Sequence, residues 1–146
     1  QPSLSLQTLG DMQGHIKTGE KDGRDSSAFM HVEVTTLVVT DLNDSIPEIE
    51  GIAKWLSSID KNILFIFQDT FLAPNEPTPV STLMEAKEAA GRYLNYVYVG
   101  NVGGTDNNTY CPKCGNTLIS RSQRAKITGI KNEKCENCGM EVPIIY

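Results

Sequence analysis

Val32-Glu33-Val34-Thr35-Thr36-Leu37-Val38-Val39-Thr40 is β-branched everywhere except Glu33 and Leu37, and its apolar residues run together toward the end. β-Branched side chains fit a pleated surface, and an unbroken apolar run suits a parallel strand covered on both faces. The stretch therefore predicts a buried parallel strand. Leu42-Asn43-Asp44 makes a turn after it. Ser45-Ile46-Pro47-Glu48 then has the form of a capping box, the Ser45 hydroxyl accepting the Glu48 amide and Glu48 reaching back to the Ser45 amide. Ile49, Ile52, Ala53, Leu56 and Ile59 recur at helical spacing, one stripe of a helix running to about Asp60. Trp55 lies beside that stripe and is expected to pack at the core boundary.

The pattern then repeats. Ile63-Leu64-Phe65-Ile66-Phe67 reads as a second buried strand. A loop with Pro74, Pro77 and Pro79 leads to a helix with Thr78 as its N-cap and Pro79 at its first position. Leu83, Ala86, Ala90 and Leu94 form its apolar face, Gly91 marks its end, and Tyr96-Val97-Tyr98-Val99 is the third strand. Strand, helix, strand, helix, strand at these lengths is a βαβαβ unit with right-handed crossovers. Three parallel strands leave two open edges and an uncovered face, so they look like part of a larger sheet or barrel.

Beyond a glycine- and asparagine-rich hinge, Gly100 to Asn108, lie all four cysteines of the chain. They occur as Cys111-Pro112-Lys113-Cys114-Gly115 and Cys135-Glu136-Asn137-Cys138-Gly139, with twenty residues between Cys114 and Cys135. Two residues between thiolates let one tight turn aim both sulfurs at one metal, and the glycine after each pair permits that turn. Cys111, Cys114, Cys135 and Cys138 are therefore the candidate ligands of one structural Zn2+, a closed tetrahedron with no open position for catalysis. A single iron on the same sulfurs is chemically equivalent in outline. Two disulfides are the competing use of four cysteines. Short strands are expected at Thr117–Ser120 and Ala125–Thr128, with Met140–Pro143 closing the second hairpin.

At 146 residues, with net charge −5 and 39% hydrophobic residues, the chain has the composition of a folded, soluble protein. No run approaches the roughly eighteen apolar residues that span a bilayer, and the start, Gln1-Pro2-Ser3-Leu4, has no secretory-signal pattern. Cysteines committed to a metal fit a reducing cytoplasm. Residues 1–108 carry −8 and residues 109–146 carry +3, from Lys113, Arg121, Arg124, Lys126, Lys131 and Lys134 against three glutamates. So mild an excess reads as a solvated surface. With only Tyr110 and Tyr146 as aromatics beyond residue 108, nucleic acid is not favoured as a partner. Residues 1–30 are polar, glycine-rich and aperiodic; His15 and His31 sit in no ligand-like cluster. The expected organisation is an irregular arm over 1–30, a βαβαβ part-barrel over 31–104 and a zinc ribbon over 105–146.

The wording of residues 32–118 carries a resemblance. Val32 to Val39, Leu42-Asn43-Asp44-Ser45, Pro77-Thr78-Pro79-Val80, Tyr96 to Val102, and Thr109-Tyr110-Cys111-Pro112-Lys113-Cys114-Gly115 together resemble radical SAM proteins related to pyruvate formate-lyase-activating enzyme, specifically the radical SAM member of the AmmeMemoRadiSam system. The resemblance implies the last strands of a partial (β/α) barrel followed by a zinc-ribbon tail. It also implies an enzyme that uses a [4Fe–4S] cluster, held by a CxxxCxxC motif, to cleave S-adenosylmethionine to a 5′-deoxyadenosyl radical. This chain departs from that pattern. It has no CxxxCxxC and no spare cysteine, and Thr40-Asp41 and Gly103-Gly104 stand where the family has Pro-Gly. Gln68-Asp69-Thr70 stands where a His-Phe-Ser-Arg-Phe-like strand end is usual. The chain alone is thus expected to hold neither the cluster nor S-adenosylmethionine and to supply no catalytic residue. Thr40, Asn43, Gln68 and Asp69, at strand ends, are the positions nearest the implied cleft; turn and capping chemistry is their plainer reading. The partner implied is a missing N-terminal half barrel joined through the open sheet edges, or a second copy in a homodimer. The alternative function is a stand-alone zinc-ribbon module that docks on protein or nucleic acid.

Overall fold

The computed structural model describes residues 32–69, 77–100 and 102–143. The arm, both histidines, Pro74, Thr70 and Tyr146 lie outside the described residues. The first part runs β1 (Glu33–Val38), α1 (Ile46–Ile59), β2 (Leu64–Asp69), α2 (Val80–Gly91), β3 (Tyr96–Gly100). All three strands are parallel, in the order β1-β2-β3, with Thr36 opposite Phe67 and Phe67 opposite Val99.

Both helices pack on one face of this sheet. Ile49, Ala53 and Leu56 of α1 and Leu83, Ala86 and Ala90 of α2 share a single buried cluster with Val38, Phe65, Phe67, Val97 and Val99. Trp55 packs against its border. Side chains alternate along a strand, so Leu64, Ile66 and Gln68 face the other way and are only half-buried, while Leu37 is 48% exposed. Among the described residues, helices cover one face only, and the second face of β1 and β2 is apolar without a described helix over it.

The loops after β1 and β2 are joined by buried polar ties. Asn43 caps the end of β1, accepting from the Val39 amide at 2.7 Å and donating to the Leu37 carbonyl at 2.8 Å. Asp41, with φ 63°, makes the left-handed turn this needs. Thr78 is not the helix cap its position suggested, since α2 begins at Val80 with Pro79 before it. Its amide donates to Asp69 Oδ1 at 2.7 Å and its hydroxyl to the Val38 carbonyl at 2.6 Å. At 3% exposure, Thr78 therefore fastens β1 to β2. Thr78→Val should lower stability by about 1–3 kcal/mol by leaving the Val38 carbonyl unpaired, while Thr78→Ser loses less. Urea unfolding followed by the single tryptophan, Trp55, measures this; equal losses would show that the methyl and not the hydroxyl matters. At Ser45 the capping-box residues meet differently from expectation. The hydroxyl donates to the Glu48 carboxylate at 2.8 Å and caps no backbone amide.

The second part is all β: an antiparallel sheet of β4 (Thr109–Tyr110), β5 (Thr117–Arg121) and β6 (Ala125–Ile127), and a hairpin of β7 (Ile130–Lys131) and β8 (Lys134–Cys135). Asn132 and Glu133 both have positive φ, 51° and 59°, the geometry of a two-residue hairpin turn. Met140–Pro143 lies against the second hairpin through a bridge of Lys134 with Glu141 and a bond from the Val142 amide to the Glu133 carbonyl at 2.8 Å. Among the described residues, no helix is long and apolar enough to cross a membrane.

Candidate metal centre

The two CxxC segments fold into matching turns. The Cys111 amide donates to the Asn116 carbonyl at 2.8 Å and the Gly115 amide to the Cys111 carbonyl at 2.9 Å. In the second segment the Cys135 amide donates to the Met140 carbonyl at 2.8 Å and the Gly139 amide to the Cys135 carbonyl at 2.9 Å. Gly115 and Gly139 take φ of 72° and 71°, a left-handed conformation that a side chain would strain. Each first cysteine, Cys111 and Cys135, is buried at 2% exposure beside Leu118 and Val142. Cys114 is exposed and Cys138 half-buried.

The four sulfurs all lie within 4.8 Å of one another. Cys111 to Cys138 and Cys114 to Cys135 are both 3.6 Å. A disulfide needs about 2.05 Å, so these thiols are unbonded. A tetrahedron with metal–sulfur bonds of about 2.3 Å has sulfurs about 3.8 Å apart, and the observed spacings bracket that value. The donor set therefore fits one thiophilic ion such as zinc.

The surroundings favour thiolates unevenly. Cys114 is pushed down to about 6 by the Asn137 side chain and then the Asn116 amide. Burial opposes ionisation of Cys135, but the amides of Cys138 and Asn137 outweigh it and lower that thiol. At Cys138 the Met140 amide favours the thiolate, yet burial and the three neighbouring sulfurs win and push it up to about 12. Because the Cys114 thiol titrates lower folded than unfolded, its support for the ribbon exists above the unfolded thiol value and is lost as pH falls through about 6. Metal occupancy must fall in the same direction, since binding releases the thiol protons. Zinc is expected to leave as pH drops from about 7 to about 5, read with a chromophoric indicator; release on raising the pH over the same interval would contradict this.

The metal-binding ribbon is fastened to β3. Both polar groups of the Asn107 carboxamide bond Val99: Oδ1 accepts from its amide at 3.0 Å and Nδ2 donates to its carbonyl at 2.5 Å. Tyr98 and Thr109 share a hydroxyl–hydroxyl bond of 2.7 Å, and the Arg121 guanidinium lies over the Tyr98 ring at 5.0 Å. That guanidinium also donates to the Asn107 carbonyl and the Thr109 hydroxyl. Lys87 of α2 donates to the Asp106 carbonyl. The segment read as a flexible hinge is thus hydrogen-bonded to the sheet, and Arg121, counted among the surface cations, stays exposed but has its charged head engaged by Asn107, Thr109 and the Tyr98 ring. Sequence reasoning missed these contacts because each joins residues that no local pattern relates.

Of the strand-end positions, Asn43 and Asp69 perform turn and tie chemistry. The Gln68 side chain lies across Gly100, whose added Cβ would come within 3.1 Å of it. Thr40 sits exposed in the turn after β1.

No family model matches the chain and no solved structure matches it. An uncharacterized protein of Methanocaldococcus jannaschii is 36% identical over 124 residues, covering 78% of this chain and 37% of that protein. The chain thus spans little more than a third of that relative's length.

Proposed function

We propose that this chain is the C-terminal part of a radical SAM protein related to pyruvate formate-lyase-activating enzyme, with one structural zinc on Cys111, Cys114, Cys135 and Cys138. The observation that carries the zinc is the cluster of four sulfurs within 4.8 Å of one another, spacings that suit a tetrahedral ion. Zinc there supplies folding energy and cross-links two hairpins; it does no chemistry. The barrel reading is supported by the parallel order β1-β2-β3 with both helices on one face, the arrangement of consecutive βα units in a (β/α) barrel. The apolar second face, with Leu37, Leu64 and Ile66, would then turn toward the barrel interior. Further strands of an N-terminal half would join at β1, and that half would hold the [4Fe–4S] cluster and S-adenosylmethionine. Unbonded thiols suit a reducing cytoplasm.

Two measurements test this. Elemental analysis of purified protein should give one zinc per chain and a colourless solution; a red protein with iron in its place overturns the zinc assignment. The coding sequence upstream of Gln1 should contain a CxxxCxxC half barrel, and the longer product should cleave S-adenosylmethionine reductively while residues 1–146 alone do not. A stop codon directly upstream would instead favour a stand-alone ribbon module.

A further inference from the structure

Among the described residues, one buried side-chain polar atom has no hydrogen-bond partner: the hydroxyl of Tyr96. Tyr96 is 6% exposed. Native proteins rarely leave such a group unsatisfied, and each instance calls for a partner. Tyr96 helps line a cleft with Lys87, Asp106 and Tyr110. Its hydroxyl, however, is sealed from solvent, so the acceptor has to come from the protein side.

The ribbon supplies that side. Val97 and Val99 point into the helix-covered core, so Tyr96 and Tyr98 face the opposite way. On that face the Tyr98 hydroxyl meets Thr109, and two residues later comes Cys111, itself 2% exposed. Asn107 meets Val99 and Thr109 meets Tyr98, so the ribbon runs back along β3 and carries Cys111 toward Tyr96. A metal-bound cysteine sulfur is a thiolate and a strong hydrogen-bond acceptor.

We infer that the Tyr96 hydroxyl donates a hydrogen bond to the Cys111 sulfur of the metal-loaded centre, making Tyr96 a positioning residue that ties β3 to the metal. The inference rests on the four-cysteine metal reading. Outer donors of this kind withdraw charge from a ligand sulfur and hold it in orientation.

The test is Tyr96→Phe in the full chain, loaded with Zn2+ for affinity and with Co2+ for spectroscopy. Competition with a chromophoric chelator should show metal affinity about tenfold weaker, within the range for lost outer partners. The sulfur-to-cobalt charge-transfer band should move to lower energy, because the sulfur keeps more electron density. Tyr98→Phe is the control: it loses the bond to Thr109 but should leave the band in place. Identical affinity and band position for wild type and Tyr96→Phe, with helix signal intact, overturns the inference alone. A wild-type chain that takes up neither ion overturns the inference together with the metal reading.

Discussion

Cys135→Ser should abolish stoichiometric metal binding and unfold the ribbon while the helix signal survives. Cys135 is buried, and its carbonyl and amide also anchor the second turn, to Gly139 and Met140. A serine hydroxyl does not ionise near neutral pH and is a poor ligand for a soft site. Affinity should fall by more than about a hundredfold, beyond the range typical of losing an outer hydrogen-bond partner. In zinc-finger peptides such an ion is worth about 10–16 kcal/mol at pH 7, and the small cluster of Leu118, Val142 and the cysteines offers nothing comparable. Both helices, α1 and α2, lie in the first part with their own core. Circular dichroism at the helix band should therefore change little, whereas amide exchange across residues 109–142 should accelerate strongly. Parallel loss of both signals would show that the sheet needs the ribbon in order to fold.

Gly129→Ala is expected to be the most damaging substitution outside the cysteines and the main core. A Cβ at Gly129 would overlap the Thr117 carbonyl oxygen and press on Asn116 Nδ2 at 2.6 Å. Neither can retreat freely. Thr117 is paired with Tyr110 across β4 and β5, and Gly129 itself is held by its amide to the Leu118 carbonyl at 3.2 Å and by the Glu136 amide at 2.9 Å. Overpacking of this kind costs about 1–3 kcal/mol. Asn116 also donates to the Cys135 sulfur at 3.8 Å, so the displacement should reach the metal. Unfolding by guanidinium and a zinc competition titration should both register the change; a normal zinc affinity in Gly129→Ala would show that Asn116 does not tune the site.

β-Branched and continuous apolar runs located all three parallel strands, and helical spacing of apolar residues located both helices, because local sequence must encode the surface each element buries. The strand read over residues 63–67 is observed at Leu64–Asp69, and the helix expected near residues 46–60 is Ile46–Ile59. The cysteines were legible for a different reason: CxxC with a following glycine is a complete local geometry. Long-range polar ties were not legible. Thr78 looks like a helix cap in sequence and is instead a bridge to Val38, forty residues away in the chain. The Asn132-Glu133 turn escaped notice because a glutamate at φ 59° carries no turn signature of its own. Asn107 and Arg121 were read as linker and surface charge, since nothing nearby reveals that β3 awaits them.

Asn107 has one more implication. By satisfying the outward amide and carbonyl of Val99 with a single side chain, it interrupts the row of bare peptide groups that a marginal strand would offer to another molecule. Growth of ordered polymers by strand addition is therefore obstructed along that border.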